Sequence, residues 1–331
     1  MPLYTDNFHR TDISNCSFLI TGGAGFIGSN IVEYLVHHGA GEVRIMDNLC
    51  EGKLENIADF IELPNVQFLE LDITNESDCQ TACSNIDFVS HQAALGSVPR
   101  SIETPLVTNA ANVTGFLNLM TAAKDAGVKR FVYASSSSVY GDSPEMPKVE
   151  SQIGDPLSPY AATKYTNEVY AGTFERCYGL ETVGLRYFNV YGPRQKPDGP
   201  YAAVIPLFMD ALLKNQPPLI NGDGEQSRDF TFVSNAVQAN VRGMFTTTPG
   251  ASRRAYNVAV GERVTVNQLF QAIKTLTGAT VDAVHQDPRE GDVKHSLADI
   301  SLAEQYLEYQ PNTRFEHGLE ITLDWFKKRF G

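Results

Sequence analysis

One segment near the start of the chain limits its fold more than any other. An apolar run, SFLIT (17–21), leads directly into Gly22-Gly23-Ala24-Gly25-Phe26-Ile27-Gly28, and an amphipathic stretch follows. Two glycine patterns overlap here, GxGxxG from Gly23 and GxxGxxG from Gly22, and both contain Gly25 and Gly28. A strand that turns into a helix around a pyrophosphate needs glycine three times: for the tight turn, for close approach of backbone to the anion, and for packing of helix on strand. The helix then aims its unbonded N–H groups and positive dipole end at the phosphates. Asp47 stands nineteen residues beyond Gly28, at the end of a second apolar run. A carboxylate there can bond both ribose hydroxyls and repels a 2′-phosphate, so the pattern points to NAD rather than NADP. Gly22, Gly25, Phe26, Ile27, Gly28 and Asp47 are the candidate cofactor contacts of this segment. A plain glycine-rich turn would account for the glycines but not for the spacing to Asp47.

The first two-thirds of the chain continue this rhythm. EVRIMD (42–47), VQFLEL (66–71), DFVSHQ (87–92), RFVYAS (130–135) and ETVGLRYF (181–188) read as strands. Helices are expected at 26–38, at 75–84 with Thr74 as cap, at 105–126, and at 160–178 after Ser158-Pro159. Strand–helix alternation predicts an α/β fold, a Rossmann-type doubly wound parallel sheet. After about residue 190 the grain changes: Pro193, Pro197, Pro200, Pro206, Pro217 and Pro218 crowd a stretch with few strand signals. The expected division is an N-terminal arm (1–16), an NAD-binding domain (17–190) and a smaller C-terminal α/β substrate domain (191–331), with the chain crossing between the two domains.

The formal net charge of −13 argues against nucleic acid and anionic membrane as partners. An anionic small substrate remains allowed if local cations meet it. No apolar run reaches the ~18 residues of a membrane helix, and residues 1–16 lack the features of a signal peptide. Five cysteines, an odd and sparse set, fit a reducing compartment, so the cytoplasm is the expected address. Cys79 and Cys83 could pair on a helix face, but no second Cys/His pair lies near them in sequence, and no metal is expected.

Tyr160 and Lys164 form YxxxK, which places an ammonium beside a phenol on one helix face. A free phenol, with a pKa of about 10, is a poor base at neutral pH. A neighbouring cation and the charge of oxidised nicotinamide both favour the phenolate, which suits proton transfer. By itself the pair could equally be a solvated helix face. The preceding strand, RFVYAS, ends in Ser135-Ser136-Ser137-Ser138-Val139-Tyr140-Gly141. Ligands of doubly wound sheets sit beyond the carboxyl ends of strands. Serines there can bond a substrate hydroxyl, although a serine run is also a common self-bonded turn.

These residues, with TGGAGFIG, MDN, HQAA, NVTG, YASSSSVYG, SPYAATK, RYFNVYGPRQ, SRDFTFV and REGDV in order, resemble the extended short-chain dehydrogenase/reductase superfamily. From about 17 to 330 the chain is similar to UDP-sugar 4-epimerases, and among them to the bacterial UDP-N-acetylglucosamine 4-epimerases of surface-polysaccharide synthesis. The resemblance implies Tyr160 as acid/base, Lys164 as its cation and a ribose ligand, and Ser136 as the substrate-bonding serine, with Ser137 and Ser138 in the same pocket. It implies cofactor contacts at Asn48, Asp72, Ile73, Ala93 and Tyr187, and at Asn109, which could instead be a helix-capping amide. For the nucleotide sugar it implies Asn189, Arg228, Arg289 and Asp292, the two arginines gripping the diphosphate, with Ala203, Val204 and Asn221 beside uracil or diphosphate. The implied reaction is self-contained. Tyr160 takes the proton of the sugar 4-hydroxyl while hydride leaves carbon 4 for tightly bound NAD; the 4-keto sugar turns over, and both return to the other face.

Related reactions separate at the serines. Similar 4,6-dehydratases carry Asp–Glu at the positions of Ser137 and Ser138, and UDP-glucuronate decarboxylases carry Glu at Ser138. Epimerisation survives this comparison. Ser296, seven residues after Arg289, falls where glucose/galactose-only epimerases carry a bulky Tyr, which leaves room for a 2-N-acetyl group. The expected reaction is therefore interconversion of UDP-N-acetylglucosamine and UDP-N-acetylgalactosamine, with UDP-glucose and UDP-galactose as a further pair. UDP-glucuronate and UDP-N-acetylglucosaminuronate are the alternative substrates. A net dehydrogenase and a catalytically idle NAD-binding regulator are the alternatives of other kinds; intact Tyr160, Lys164 and Ser136 speak against the regulator. A homodimer is expected, with the helices at 105–126 and 160–178 forming a four-helix bundle.

Overall fold

The structure is a computed structural model that describes residues 3–197, 202–288 and 294–330. In chain order come β1 (Ser17–Thr21), α1 (Phe26–His37), β2 (Glu42–Asp47), β3 (Val66–Glu70), α2 (Glu76–Cys83), β4 (Phe88–His91), α3 (Val98–Glu103), α4 (Pro105–Asn109), α5 (Gly115–Asp125), β5 (Arg130–Ser136), α6 (Pro159–Tyr178) and β6 (Thr182–Tyr187). Beyond them lie β7 (Val190–Tyr191), α7 (Val204–Leu213), β8 (Leu219–Asn221), β9 (Ser227–Arg228), β10 (Thr231–Phe232), α8 (Val233–Phe245) and β11 (Arg254–Val258). The last elements are β12 (Val264–Thr265), α9 (Val266–Thr277), β13 (Val284–Gln286), α10 (Ser301–Leu307) and α11 (Phe315–Phe330).

Seven parallel strands make one sheet in the order β11-β6-β5-β4-β1-β2-β3. Phe18, Leu19 and Ile20 of β1 are all fully buried. That lack of alternation is what a central parallel strand covered on both faces requires. The direction of winding reverses between β1 and β4, and ligand crevices open at such switch points. The seventh strand, β11, comes from well beyond residue 190. The helix before it, α8, packs against α1. The remaining late elements form a smaller layer of three two-stranded ladders with α7, α9 and α11, whose core includes Phe208, Phe232, Leu269 and Phe326.

Local chemistry explains most boundaries. The hydroxyl of Ser158 accepts from the Ala161 N–H at 3.1 Å, Pro159 takes the first helical position of α6, and Gly179 ends the helix at φ 75°. Two expectations change. The cap of α2 is Asn75, whose side chain accepts from the Ser77 N–H at 3.0 Å; Thr74 is turned away, its hydroxyl donating to Asp72 at 2.7 Å. The single helix expected at 105–126 is divided by a π-turn at Ala110–Thr114. Asn112 sits in that wider turn, buried, and its amide exchanges hydrogen bonds with both backbone groups of Leu95 at 2.8 and 3.0 Å and donates to Thr163 at 3.2 Å.

The N-terminal segment is packed, not free. Tyr4, Phe8 and Ile13 are buried against the main core. The Tyr4 hydroxyl donates to Asn30 at 2.8 Å, and the Tyr34 hydroxyl accepts from the Phe8 N–H at 2.8 Å. Among the described residues no helix is long and apolar enough to cross a membrane.

Candidate active site

A cleft of about 830 Å³ opens at the carboxyl ends of the central strands. It brings together Gly22, Gly25, Phe26, Ile27, Gly28, Asp47, Asn48, Asp72, Ile73, Ala93, Ser136, Tyr160, Lys164, Tyr187 and Asn189, all anticipated from sequence. The glycine turn is built by contact. Gly22 adopts φ 64°, and a Cβ on it would lie 2.7 Å from the Ala93 nitrogen. A Cβ on Gly28 would lie 2.2 Å from the Gly22 carbonyl oxygen. The twelve-residue α1 therefore starts hard against the turn, with Gly25 at its cap and no side chain over its first N–H groups.

Asp47 is held for a ligand on the adjacent wall. One oxygen accepts from the Ala24 N–H at 3.0 Å and the other from the Leu49 N–H at 2.8 Å. Burial raises its pKa above the usual carboxylate value against these two donors. Gly52 backs onto the carboxylate, where a Cβ would come within 2.7 Å of it. Asn48 donates to Asp72 at 2.8 Å, so the next two polar groups are also fixed to each other. A phosphate-sized cradle without side chains, followed by an anchored carboxylate on the neighbouring strand, fits a dinucleotide with free ribose hydroxyls.

The candidate reacting groups stand at the end of β5. Ser136 accepts from both the N–H and the hydroxyl of Ser138, at 3.2 and 3.0 Å. With both lone pairs engaged, its own proton is left to point towards the Tyr160 phenol beside it. The self-bonded serine turn and the candidate serine are thus one arrangement. Ser137 and Ser138 lie in the short 3₁₀ turn that Ser136 caps. Lys164 is buried, its ammonium donating to the Ala134 carbonyl at 2.9 Å and standing 5.9 Å from the centre of the Tyr160 ring. Burial pushes Lys164 down to about 8 and raises the Tyr160 phenol, with the Ser136 bond opposing that rise. The chain alone therefore favours neutral phenol, contrary to the expected pull of Lys164, because desolvation penalises both charges.

The other anticipated residues that the structure describes lie apart from the cleft lining. Asn109 is exposed at the end of α4, without a capping bond; the buried amide of this region is Asn112. Arg228 and Ser296 meet, since the Ser227 carbonyl accepts from the Arg228 guanidinium at 3.0 Å and from the Ser296 N–H at 3.0 Å. Ala203 caps α7, Val204 begins it, and Asn221 ends β8, accepting from Gln286 at 2.6 Å. Arg289 and Asp292 lie outside the described residues.

Several cleft groups escaped sequence reasoning. The Tyr187 hydroxyl donates to Gln92 at 3.0 Å and accepts from Asn240 at 2.7 Å, and Gln92 lines the cleft from the HQAA segment. Arg194, at φ 74°, also lines the cleft and pairs with Glu33 of α1 at 2.6 Å. It stands inside the RYFNVYGPRQ motif, but nothing in that motif singled it out from its neighbours.

Residues 18–259 match the model of a family described as NAD dependent epimerase/dehydratase. The chain is similar to the solved UDP-N-acetylglucosamine 4-epimerase of Methanobrevibacter ruminantium in complex with UDP-N-acetylmuramic acid: 41% identity over 95% of this chain and 99% of that one, TM-score 0.90. It is also similar to the UDP-glucose 4-epimerase of Thermotoga maritima solved with UDP-glucose, at 37% identity over 95% and 99% of the two chains, TM-score 0.89. A UDP-glucuronate 4-epimerase of Thermodesulfobacterium geofontis is 35% identical over 94% of this chain and 96% of its own.

Proposed function

The chain belongs to the NAD dependent epimerase/dehydratase family and is an NAD-dependent UDP-sugar 4-epimerase, and we propose that it interconverts UDP-N-acetylglucosamine and UDP-N-acetylgalactosamine, with UDP-glucose and UDP-galactose as a second pair. The small side chain of Ser296, half-buried and sharing a carbonyl with Arg228, is the observation that carries this choice of sugar. If that position faces the sugar, as the resemblance implies, a side chain this small would leave room for a 2-N-acetyl group that a bulky residue would oppose. Likeness to the Methanobrevibacter enzyme supports the same reading.

Bound NAD supplies the acceptor and donor of hydride for carbon 4. The rest belongs to the chain's own side chains. The Gly22–Gly28 turn would hold the pyrophosphate, and Asp47 the adenosine ribose. Tyr160 Oη takes the proton of the 4-hydroxyl and returns it. Ser136 donates towards the phenol oxygen and so stabilises its charged form; Lys164, fixed on Ala134, keeps a cation beside it. Arg228 would hold the diphosphate while the sugar turns.

Tyr160→Phe should lower turnover about a thousandfold, within the usual range for a lost acid/base, while the purified variant still carries NAD. Near-normal epimerisation by this variant would defeat the assignment. Ser296→Tyr should cut kcat/KM for UDP-N-acetylglucosamine by roughly a hundredfold and spare UDP-glucose, since overpacking opposes only the larger sugar. Equal losses on both sugars would remove the gatekeeper role.

Exposed Ile102, Leu106 and Val169 on α3, α4 and α6 support a homodimer formed through this helical face. The five free thiols support a cytoplasmic site of action.

A further inference from the structure

Tyr160, Lys164 and Glu168 follow one another at four-residue intervals, on one face of α6. Each meets the end of β5 at a different residue. Tyr160 lies beside Ser136, Lys164 donates to the Ala134 carbonyl at 2.9 Å, and Glu168 accepts from the Ser135 hydroxyl at 2.6 Å. Three turns of the helix thus meet three consecutive residues of the strand, and YxxxK describes only two of the three.

The third fastening is rigid. Arg186 reaches both oxygens of Glu168 through Nε and Nη2, at 2.9 and 2.8 Å. The two side chains are 5% and 10% exposed. Such a fork fixes orientation as well as distance. Arg186 lies opposite Ser135 in the β5–β6 register. Its remaining terminal nitrogen donates to the Tyr140 hydroxyl at 3.0 Å and the Glu150 carbonyl at 2.9 Å. Tyr140 closes the turn whose serines orient Ser136. One guanidinium therefore joins the helix that carries Tyr160 to the turn that carries its hydrogen-bond partner. The charges of Glu168 and Arg186 cancel, so the pair can act on Tyr160 through geometry without adding net charge.

We infer that Glu168, clamped by Arg186 and bonded to Ser135, is a positioning residue for the epimerisation. It sets α6 lengthwise against β5 so that the Tyr160 hydroxyl meets Ser136. This rests on Tyr160 being the proton-transferring group. A misplacement of about 1 Å at such a site can cost roughly a hundredfold in rate.

The test is a double-mutant cycle on the NAD-loaded enzyme. Ser135→Ala and Glu168→Gln should each lower kcat about tenfold or more, with KM for the nucleotide sugar and NAD content unchanged. Both should move the pH–rate profile in the same direction. The double variant should be no slower than the worse single one, because both remove one device. Ser135→Thr, which keeps the hydroxyl, should restore turnover to within about threefold of wild type, and it tests the idea even if Glu168→Gln fails to fold. Multiplying losses would make Ser135 an independent contact and overturn the inference, as would wild-type kcat in Ser135→Ala. Tyr160→Phe in the same assay separates the two levels: full activity there defeats the proton-transfer reading itself, whereas wild-type Ser135→Ala defeats only the positioning role.

Discussion

The cofactor wall and the substrate layer are built by different means. The glycine turn of the cofactor wall is a short continuous segment, residues 22–28, closed by backbone contact: Gly28 against Gly22, and Gly22 against Ala93. The residues proposed for the nucleotide sugar, Asn189, Asn221, Arg228 and Ser296, come from four separate segments, tied by two-stranded ladders and single hydrogen bonds. A wall fixed by local backbone geometry can serve one invariant group, a diphosphate. A layer assembled from distant pieces can change one side chain without moving the others, which is where variation in the sugar can be accommodated. At the join sits Asp229, fully buried, one oxygen accepting from the Val260 N–H at 3.0 Å and the other from Gly261 and Ala298 at 3.1 and 3.3 Å.

The contrast breaks most readily at Gly28. Gly28→Ala forces a methyl group to within 2.2 Å of a backbone oxygen that cannot yield without moving the turn. It should cost about 3 kcal/mol of stability and strip the protein of NAD. A urea midpoint and the NAD content of purified variant check this; wild-type occupancy would mean that the turn is not rigid.

Asp229 tests the other construction. Burial outweighs its three N–H donors and pushes it up to about 6. Between about pH 6 and pH 4 the folded protein therefore holds a proton that the unfolded chain releases, so this group adds stability as pH falls through that window. A rise from about 4 to about 6 corresponds to roughly 3 kcal/mol at the full limit. The stability difference between wild type and Asp229→Asn should widen by about 2 kcal/mol from pH 7 to pH 4. The difference for Gly28→Ala should stay constant over the same range. A flat difference for Asp229→Asn would mean that its carboxylate is not penalised at the join.

The smallest effect concerns a boundary. Asn75→Ala removes the cap of α2 and should cost about 1 kcal/mol, more than Thr74→Ala, whose hydroxyl bonds Asp72 instead. Thermal unfolding of the two variants compares them; a reversed order would restore Thr74 as the cap.

What the sequence disclosed follows the same line. The strand SFLIT, the turn after it and the start of α6 at Ser158-Pro159 were legible because each is decided by neighbours within a few residues. The π-turn at 110–114 was not, because AANVT has ordinary helical composition and its widening is coupled to a bond from Asn112 to Leu95. Asn109 was named from the resemblance, and periodicity alone did not single out Asn112 as the amide with a distant partner. The strand β11 was hidden beyond the proline-rich stretch, where no alternating rhythm marks it. Glu168 was invisible as a third fastening until Arg186 and Ser135 stood beside it.

Tyr160 should pass one proton to and from the sugar 4-oxygen beside a resident NAD that the complete reaction leaves unreduced. The direct measurement is incubation of protein as purified, without added NAD, with UDP-N-acetylglucosamine, UDP-glucose and UDP-glucuronate, followed by separation of products and absorbance at the reduced-nicotinamide band. The account predicts many turnovers to the 4-epimer of the N-acetylated sugar with no net rise in that band. One equivalent of reduced cofactor per product, or no turnover of any UDP-sugar, would contradict it.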